Sequence, residues 1–233
     1  MHRLILILGI TSLLTCSNDD DSEIRNESSQ FAICNTLLAE CVDGDGDYCL
    51  FGFRWGGVNP ATDAGYNAEG PQGPGAIMSY SFQERNGILN THAQINLPSL
   101  SFDRLPACAK DEIRNALAAW SDVAQLEFEE MPDNSDTDLK FYVAEIRQSG
   151  IGYPNYVDPT CTDMAGQVVI QADLDLGGCN ALRNFFMHEI GHSLGLGHVR
   201  TTNIMSSDFT VIKSLNGLQE GDIQGAVQLY GSR

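Results

Sequence analysis

The chain reads as a single α+β domain of moderate size. Two amphipathic helical segments stand far apart in it, short stretches with period-two alternation lie between them, and 233 residues suffice for one hydrophobic core but not for two. The elements follow in chain order.

Met1-His2-Arg3 supplies a positive start, and Leu4 to Leu14 is an apolar run too short to cross a bilayer as a helix. Leu13-Leu14-Thr15-Cys16 then resembles a bacterial lipobox, with Thr15 where a smaller residue is usual. Residues 1–16 are therefore expected to be a signal peptide with Cys16 as lipid anchor, and an ordinary secretory signal is the alternative. Either route exports the protein, to a bacterial outer membrane or cell surface in the first case and to the periplasm or medium in the second. Ser17 to Glu23 is polar and acidic, a solvated tether that also resembles the surface-export signals of Bacteroidota lipoproteins. Residues 17–75 as a whole read as this tether plus a Cys/Gly-rich segment, a candidate propeptide, in which Gly52 to Gly75 is loop or linker. Asp43-Gly44-Asp45-Gly46-Asp47 opens like a calcium loop. Tyr48 replaces the glycine of the turn and Arg54 stands where the bidentate glutamate belongs, so an acidic turn is the better reading.

Residues 76–233 carry the folded unit. Met78-Tyr80-Phe82, Leu126-Phe128 and Leu139-Phe141-Val143 alternate as strands do, and Val168-Val169-Ile170 is a short buried run. Ile113, Ala116, Leu117 and Trp120 form one apolar helical stripe, and Ile223, Ala226, Val227 and Tyr230 form another near the end.

Of the seven cysteines, removing Cys16 leaves six, an even number that in an exported chain implies three disulfides among 15 pairings. Cys161 with Cys179 is the preferred pair, because the two bracket one loop-strand-loop unit. The net charge of −18 argues against nucleic acid and anionic lipid surfaces as partners and permits cations.

The chemistry concentrates in His188-Glu189-Ile190-Gly191-His192-Ser193-Leu194-Gly195-Leu196-Gly197-His198. His188 and His192 are four apart, so on a helix both reach one metal ion from the same face. Gly195 can take positive φ, ending the helix and bringing His198 in as third ligand. A hydrolytic zinc keeps three protein ligands and leaves a fourth position for water, whose proton Glu189 is placed to accept. Met205 follows His198 by seven residues.

This pattern, HExxHxxGxxH followed by a methionine turn, resembles the metzincin clan of zincins. Within it the surroundings are most similar to the matrix metalloproteinases (matrixins) and their bacterial relatives, from about Met78 to Gly231. Glu112 to Val123 looks like their first helix, Leu126-Glu127-Phe128 and Asp138 to Phe141 like their next strands, and Asp222 to Gly231 like their C-terminal helix. Serralysins share a tract like Met78 to Phe82, but they place a tyrosine after the turn methionine, where this chain has Ser206 and Ser207.

The resemblance implies a twisted mixed sheet, an active-site helix, the methionine turn with Met205 as hydrophobic floor under zinc, and a C-terminal helix. It implies a zinc-dependent endopeptidase with one catalytic Zn2+ on His188, His192 and His198, Glu189 as general base, protein or peptide substrates bound extended along a sheet edge, and action as a monomer. The pocket for the side chain after the cut bond would be walled by Ser206-Ser207-Asp208-Phe209, with Ser207 and Phe209 on it, and its depth set by Asn184 and Phe185. If Asp208 faced that pocket instead, basic residues would be preferred.

Two family features are missing. The only other histidines are His2 and His92, so the structural zinc site of the vertebrate family members cannot be assembled in their way, with Gln171 near where one of its histidines is expected, and there is no Pro-Arg-Cys-Gly-type latency motif. Asp158, Asp163, Asp173 and Asp175 make calcium a candidate second ion, against the slightly better reading of exposed loop aspartates. The rival functions are a catalytically silent zinc-binding surface lipoprotein, acting as adhesin or scaffold, and a zinc enzyme acting on a non-peptide bond. An intact Glu189 counts against the first, and the methionine turn and C-terminal helix count against the second.

Overall fold

The computed structural model describes residues 34, 46–56, 65–66, 75–85, 87–156 and 159–233. Cys16 and its lipobox, the acidic tether and the start of the Asp43 turn lie outside them. In order, the elements are β1 (Cys49–Leu50), β2 (Gly65–Tyr66), β3 (Ala76–Gln83), β4 (Ile88–Leu89), β5 (Leu97–Pro98), α1 (Ala109–Val123), β6 (Leu126–Glu130), β7 (Leu139–Ala144), β8 (Gly150–Gly152), β9 (Gln167–Gln171), α2 (Cys179–Leu194), α3 (Phe209–Ser214) and α4 (Glu220–Tyr230). The architecture is α+β. A five-stranded sheet in the order β6-β3-β7-β9-β8 is parallel except for β8, which pairs antiparallel with β9 at one edge. β1-β2 and β4-β5 are small antiparallel ribbons. Among the described residues no helix is long and apolar enough to cross a membrane.

Period two decides which face of β3 is covered: Met78 and Phe82 are buried while Ile77 is 67% exposed. α1 lays Ile113, Ala116, Leu117 and Trp120 into the core, and Asp111 and Glu112 in its first turn suit the positive end of the helix dipole. Trp120 then donates its indole N–H to the carbonyl of Met187 at 3.1 Å, which fixes α1 against α2 one residue ahead of His188. α4 is rotated from the stripe expected of it. Asp222, Gly225, Ala226, Leu229 and Tyr230 face inward while Ile223 and Val227 are only partly covered, because the Asp222 carboxylate is needed inside the protein.

Residues 46–56, ahead of the expected boundary at residue 76, pack on the folded unit. Cys49, Leu50, Phe51, Phe53, Arg54 and Trp55 are buried. The N–H of Phe51 donates to Gly195 O at 2.9 Å, Gly197 N–H returns to Cys49 O at 2.8 Å, and Trp55 Nε1 donates to Ser193 O at 2.7 Å. The stretch is thus a strap bound to the end of α2, and burying each of its large apolar side chains contributes roughly 1.5 to 3 kcal/mol.

The disulfides also differ from expectation. Cys161 bonds Cys34 and Cys179 bonds Cys108, so Cys161 and Cys179 are not partners. The reason is tertiary: α1 packs on α2, which brings Cys108 at the head of one to Cys179 at the head of the other. Cys49 is disulfide-bonded as well. The Cys108–Cys179 bond closes a separation of 71 residues, for which chain entropy gives a stabilisation of about 4 kcal/mol. Chemical denaturation of the Cys108→Ser/Cys179→Ser double variant should show a loss of roughly 2 to 5 kcal/mol; an unchanged midpoint would contradict this.

Candidate active site

α2 ends at Gly195, whose φ of 106° is left-handed and whose N–H caps the carbonyls of Gly191 and His192. A side chain there would also collide with Phe53 O of the strap, so glycine is required by both conformation and space. Beyond this turn the chain doubles back and delivers His198.

The three Nε2 atoms converge. They lie 3.1 Å (His188 to His192), 3.1 Å (His192 to His198) and 3.2 Å (His188 to His198) apart. His188 Nδ1–H donates to Ile204 O at 2.7 Å and His192 Nδ1–H to Leu196 O at 2.8 Å. Those bonds place the protons on Nδ1, so both Nε2 atoms present bare lone pairs to the same point. Lone pairs that close repel unless a cation lies between them, and tetrahedral zinc with Zn–N bonds of ~2.05 Å needs nitrogens about 3.3 Å apart. The residues fit zinc, and among the described residues they are the one such cluster.

Electrostatics agree. Burial, and then the neighbouring His198, hold His188 down at about 3, and burial, then His188 and His198, keep His192 well below its ordinary value, so both imidazoles are neutral and able to ligate at pH 7. Glu189 is 5% exposed. Burial pushes its carboxyl up to about 8, opposed by the N–H of Gly152, which donates to it. A divalent cation close by would draw it back toward the ionised form.

Beneath the histidines, Met205 is 2% exposed and fills the space that a side chain at Gly191 would need. The methionine turn is held by Asp222, whose Oδ2 accepts from the N–H of Ile204 at 2.8 Å and whose Oδ1 accepts from that of Met205 at 3.0 Å. Oδ2 also accepts from Gln219 N at 2.8 Å. One line of bonds therefore runs from Asp222 through Ile204 to the His188 ring.

These groups floor a cleft of about 520 Å³. β8 forms its rim so close to α2 that a side chain on Gly150 would collide with Phe185, and one on Gly152 with the Glu189 backbone. Phe185, Ser207, Phe209 and Ile212 line one end, with Phe185 and Phe209 edge to face at 6.3 Å. Asn184 is turned away from the cleft, contrary to expectation. Its side-chain amide donates to Ile212 O at 2.9 Å and Leu215 O at 2.8 Å, so it ties α2 to the segment after α3. Asp208 caps α3 by accepting from Thr210 N, and it does not line the cleft. Of the calcium candidates, Asp173 is paired with Arg104, Asp175 accepts from Gly177 N, and Asp158 lies outside the described residues.

The family model for matrixins, peptidase family M10, matches residues 100–231. The chain belongs to the matrixin family. Human "Matrix metalloproteinase-19" is 31% identical over 157 residues, covering 60% of this chain and 28% of the relative. The sea urchin Paracentrotus lividus "Hatching enzyme" is 31% identical over 140 residues, 53% of this chain and 22% of the relative. "Metalloendoproteinase 1-MMP" of Arabidopsis thaliana is 30% identical over 138 residues, 52% of this chain and 38% of the relative. This matrixin thus spans between a fifth and two-fifths of the relatives it matches.

Sequence reasoning missed several residues that shape this matrixin's site. Asp222 had a local signal, since Gln219 three residues earlier forms a capping box with it. Phe51, stacked on His192 at 5.8 Å, and His92, both lining the cleft, had none, because their neighbours are remote in sequence.

Proposed function

We propose that this matrixin is an exported zinc-dependent endopeptidase acting on extracellular proteins or peptides. The observation that carries the reading is the convergence of three Nε2 lone pairs beside a buried carboxylate on the floor of an open cleft. When bound by His188, His192 and His198, zinc supplies a Lewis acid for the scissile carbonyl and for the attacking water. Glu189 accepts the water's proton and later returns it to the leaving amine, its carboxylate held in place by Gly152 N–H. β8, the edge strand on the cleft side of the sheet, offers its backbone to an extended substrate. The chain's disulfides suit an oxidising compartment, and Cys16 as lipid anchor belongs to the same proposal. Digestion of casein with and without a chelator tests the reading: chelator-sensitive fragments support it, and an intact substrate under zinc-replete conditions refutes it.

Phe185, Phe209 and Ile212 make the end beyond His188 apolar, so leucine or methionine is expected just after the cut. Burying such a side chain contributes roughly 1.5 to 3 kcal/mol, on the order of ten- to hundredfold in rate when realised in the transition state. A peptide-library profile dominated by Arg or Lys at that position would contradict this, and Phe209→Ala should flatten the preference.

A further inference from the structure

Among the described residues His92 is the histidine the zinc chemistry leaves unused, and it lines the same cleft. It sits between β4 and β5 in a turn held by Thr91, whose hydroxyl accepts from the N–H of Ala93 at 3.3 Å and of Gln94 at 2.9 Å and donates to Gln94 O at 3.0 Å. His92 meets Tyr153 twice: its backbone N–H donates to the Tyr153 hydroxyl at 3.0 Å, and its Nδ1 lies 2.8 Å from that oxygen.

These bonds fix the tautomer. Tyr153 is fully buried, so its hydroxyl proton needs an acceptor within the protein, and His92 Nδ1 is the acceptor within reach among the described residues. Burial pushes the Tyr153 hydroxyl up, which keeps that proton on the pair, and burial lowers His92, which keeps the ring neutral. The remaining proton of the imidazole is therefore on Nε2, a donor on a half-buried ring at the cleft wall.

Position along the cleft follows from β8. Gly150 abuts Phe185, Gly152 abuts His192, and Tyr153 comes next, so His92 stands at the end opposite the apolar Phe185–Phe209 pocket. Phe51, stacked on His192, borders that same end. If the apolar pocket takes the residue after the cut, His92 faces residues ahead of it.

We propose that His92, oriented by Tyr153, is a specificity-determining residue that donates Nε2–H to a side-chain amide oxygen, Asn or Gln, ahead of the cut bond. A carboxylate would be the stronger partner for an N–H donor, but a protein of net charge −18 with Glu189 in the same cleft disfavours acidic side chains, so the amide oxygen is the neutral side-chain acceptor that fits. The inference rests on the peptidase reading.

Peptide-library profiles of the wild type, His92→Leu, His92→Gln and Tyr153→Phe test it. The wild type should favour Asn or Gln ahead of the cut, His92→Leu should lose about tenfold on those peptides with the preference after the cut unchanged, and His92→Gln, which keeps an N–H donor, should recover part of it. Tyr153→Phe should weaken the preference less than His92→Leu does. Binding of an Asn-containing peptide to the non-cleaving Glu189→Ala background, with and without His92→Leu, should show the same factor in Kd. ¹⁵N spectra should place the His92 proton on Nε2. A folded His92→Leu variant with an unchanged profile and Kd, or a proton on Nδ1, overturns the proposal. A wild type that cleaves no peptide at all overturns the peptidase reading instead.

Discussion

Glu189→Ala is expected to lower kcat by about 10²- to 10⁴-fold, the usual range for losing a positioned general base, while zinc content and KM stay near wild type. The separation follows from geometry. Glu189 shares α2 with two of the three ligands but adds no atom to the converging Nε2 group. Among the described residues lining the cleft it is the only carboxylate, so no neighbour can take over its proton transfer. Glu189→Gln should behave like Glu189→Ala, because it keeps the shape and lacks the basic oxygen. Steady-state kinetics on a peptide cleaved by the wild type are the check, and a variant working at near wild-type rate would remove Glu189 from the mechanism.

Asp222→Ala should be the most damaging single change away from the metal ligands. It strips acceptors from the N–H groups of Ile204, Met205 and Gln219, the first two buried, and an unsatisfied buried donor costs roughly 1 to 3 kcal/mol. With water reaching part of the gap, a loss of about 3 kcal/mol is expected, or roughly 6 to 12 °C in Tm for a domain of this size. Loosening the turn also frees Ile204 O, which holds the His188 ring, so zinc affinity should fall by on the order of tenfold or more without any ligand being touched. Calorimetry with a competitive zinc titration reads both. A variant with unchanged Tm and affinity would mean that the turn holds its shape without this carboxylate.

What could be read from the sequence was what is local. The i, i+4 histidines and the left-handed Gly195 lie within one helix and its cap, and the alternation in β3 and β7 is a property of each strand alone. The strap at 46–56 was illegible because its composition is that of a turn, while its hydrogen-bond partners, such as Ser193 for Trp55, lie 138 residues away. Cysteine pairing depended on the packing of α1 against α2. For Asn184, helical spacing placed the backbone near the cleft, but the side-chain direction was set by the carbonyls of Ile212 and Leu215 at the end of α3. In α4 a buried carboxylate outweighed the apolar stripe, a reversal that periodicity alone cannot show.

Whether His188, His192 and His198 together hold a zinc ion beside Glu189 is decided by metal analysis of the purified wild type, Glu189→Ala and His192→Ala after zinc-replete expression. One zinc per chain is expected in the first two proteins and its loss in the third. A wild type without zinc, or a His192→Ala variant that keeps its full complement, would contradict it.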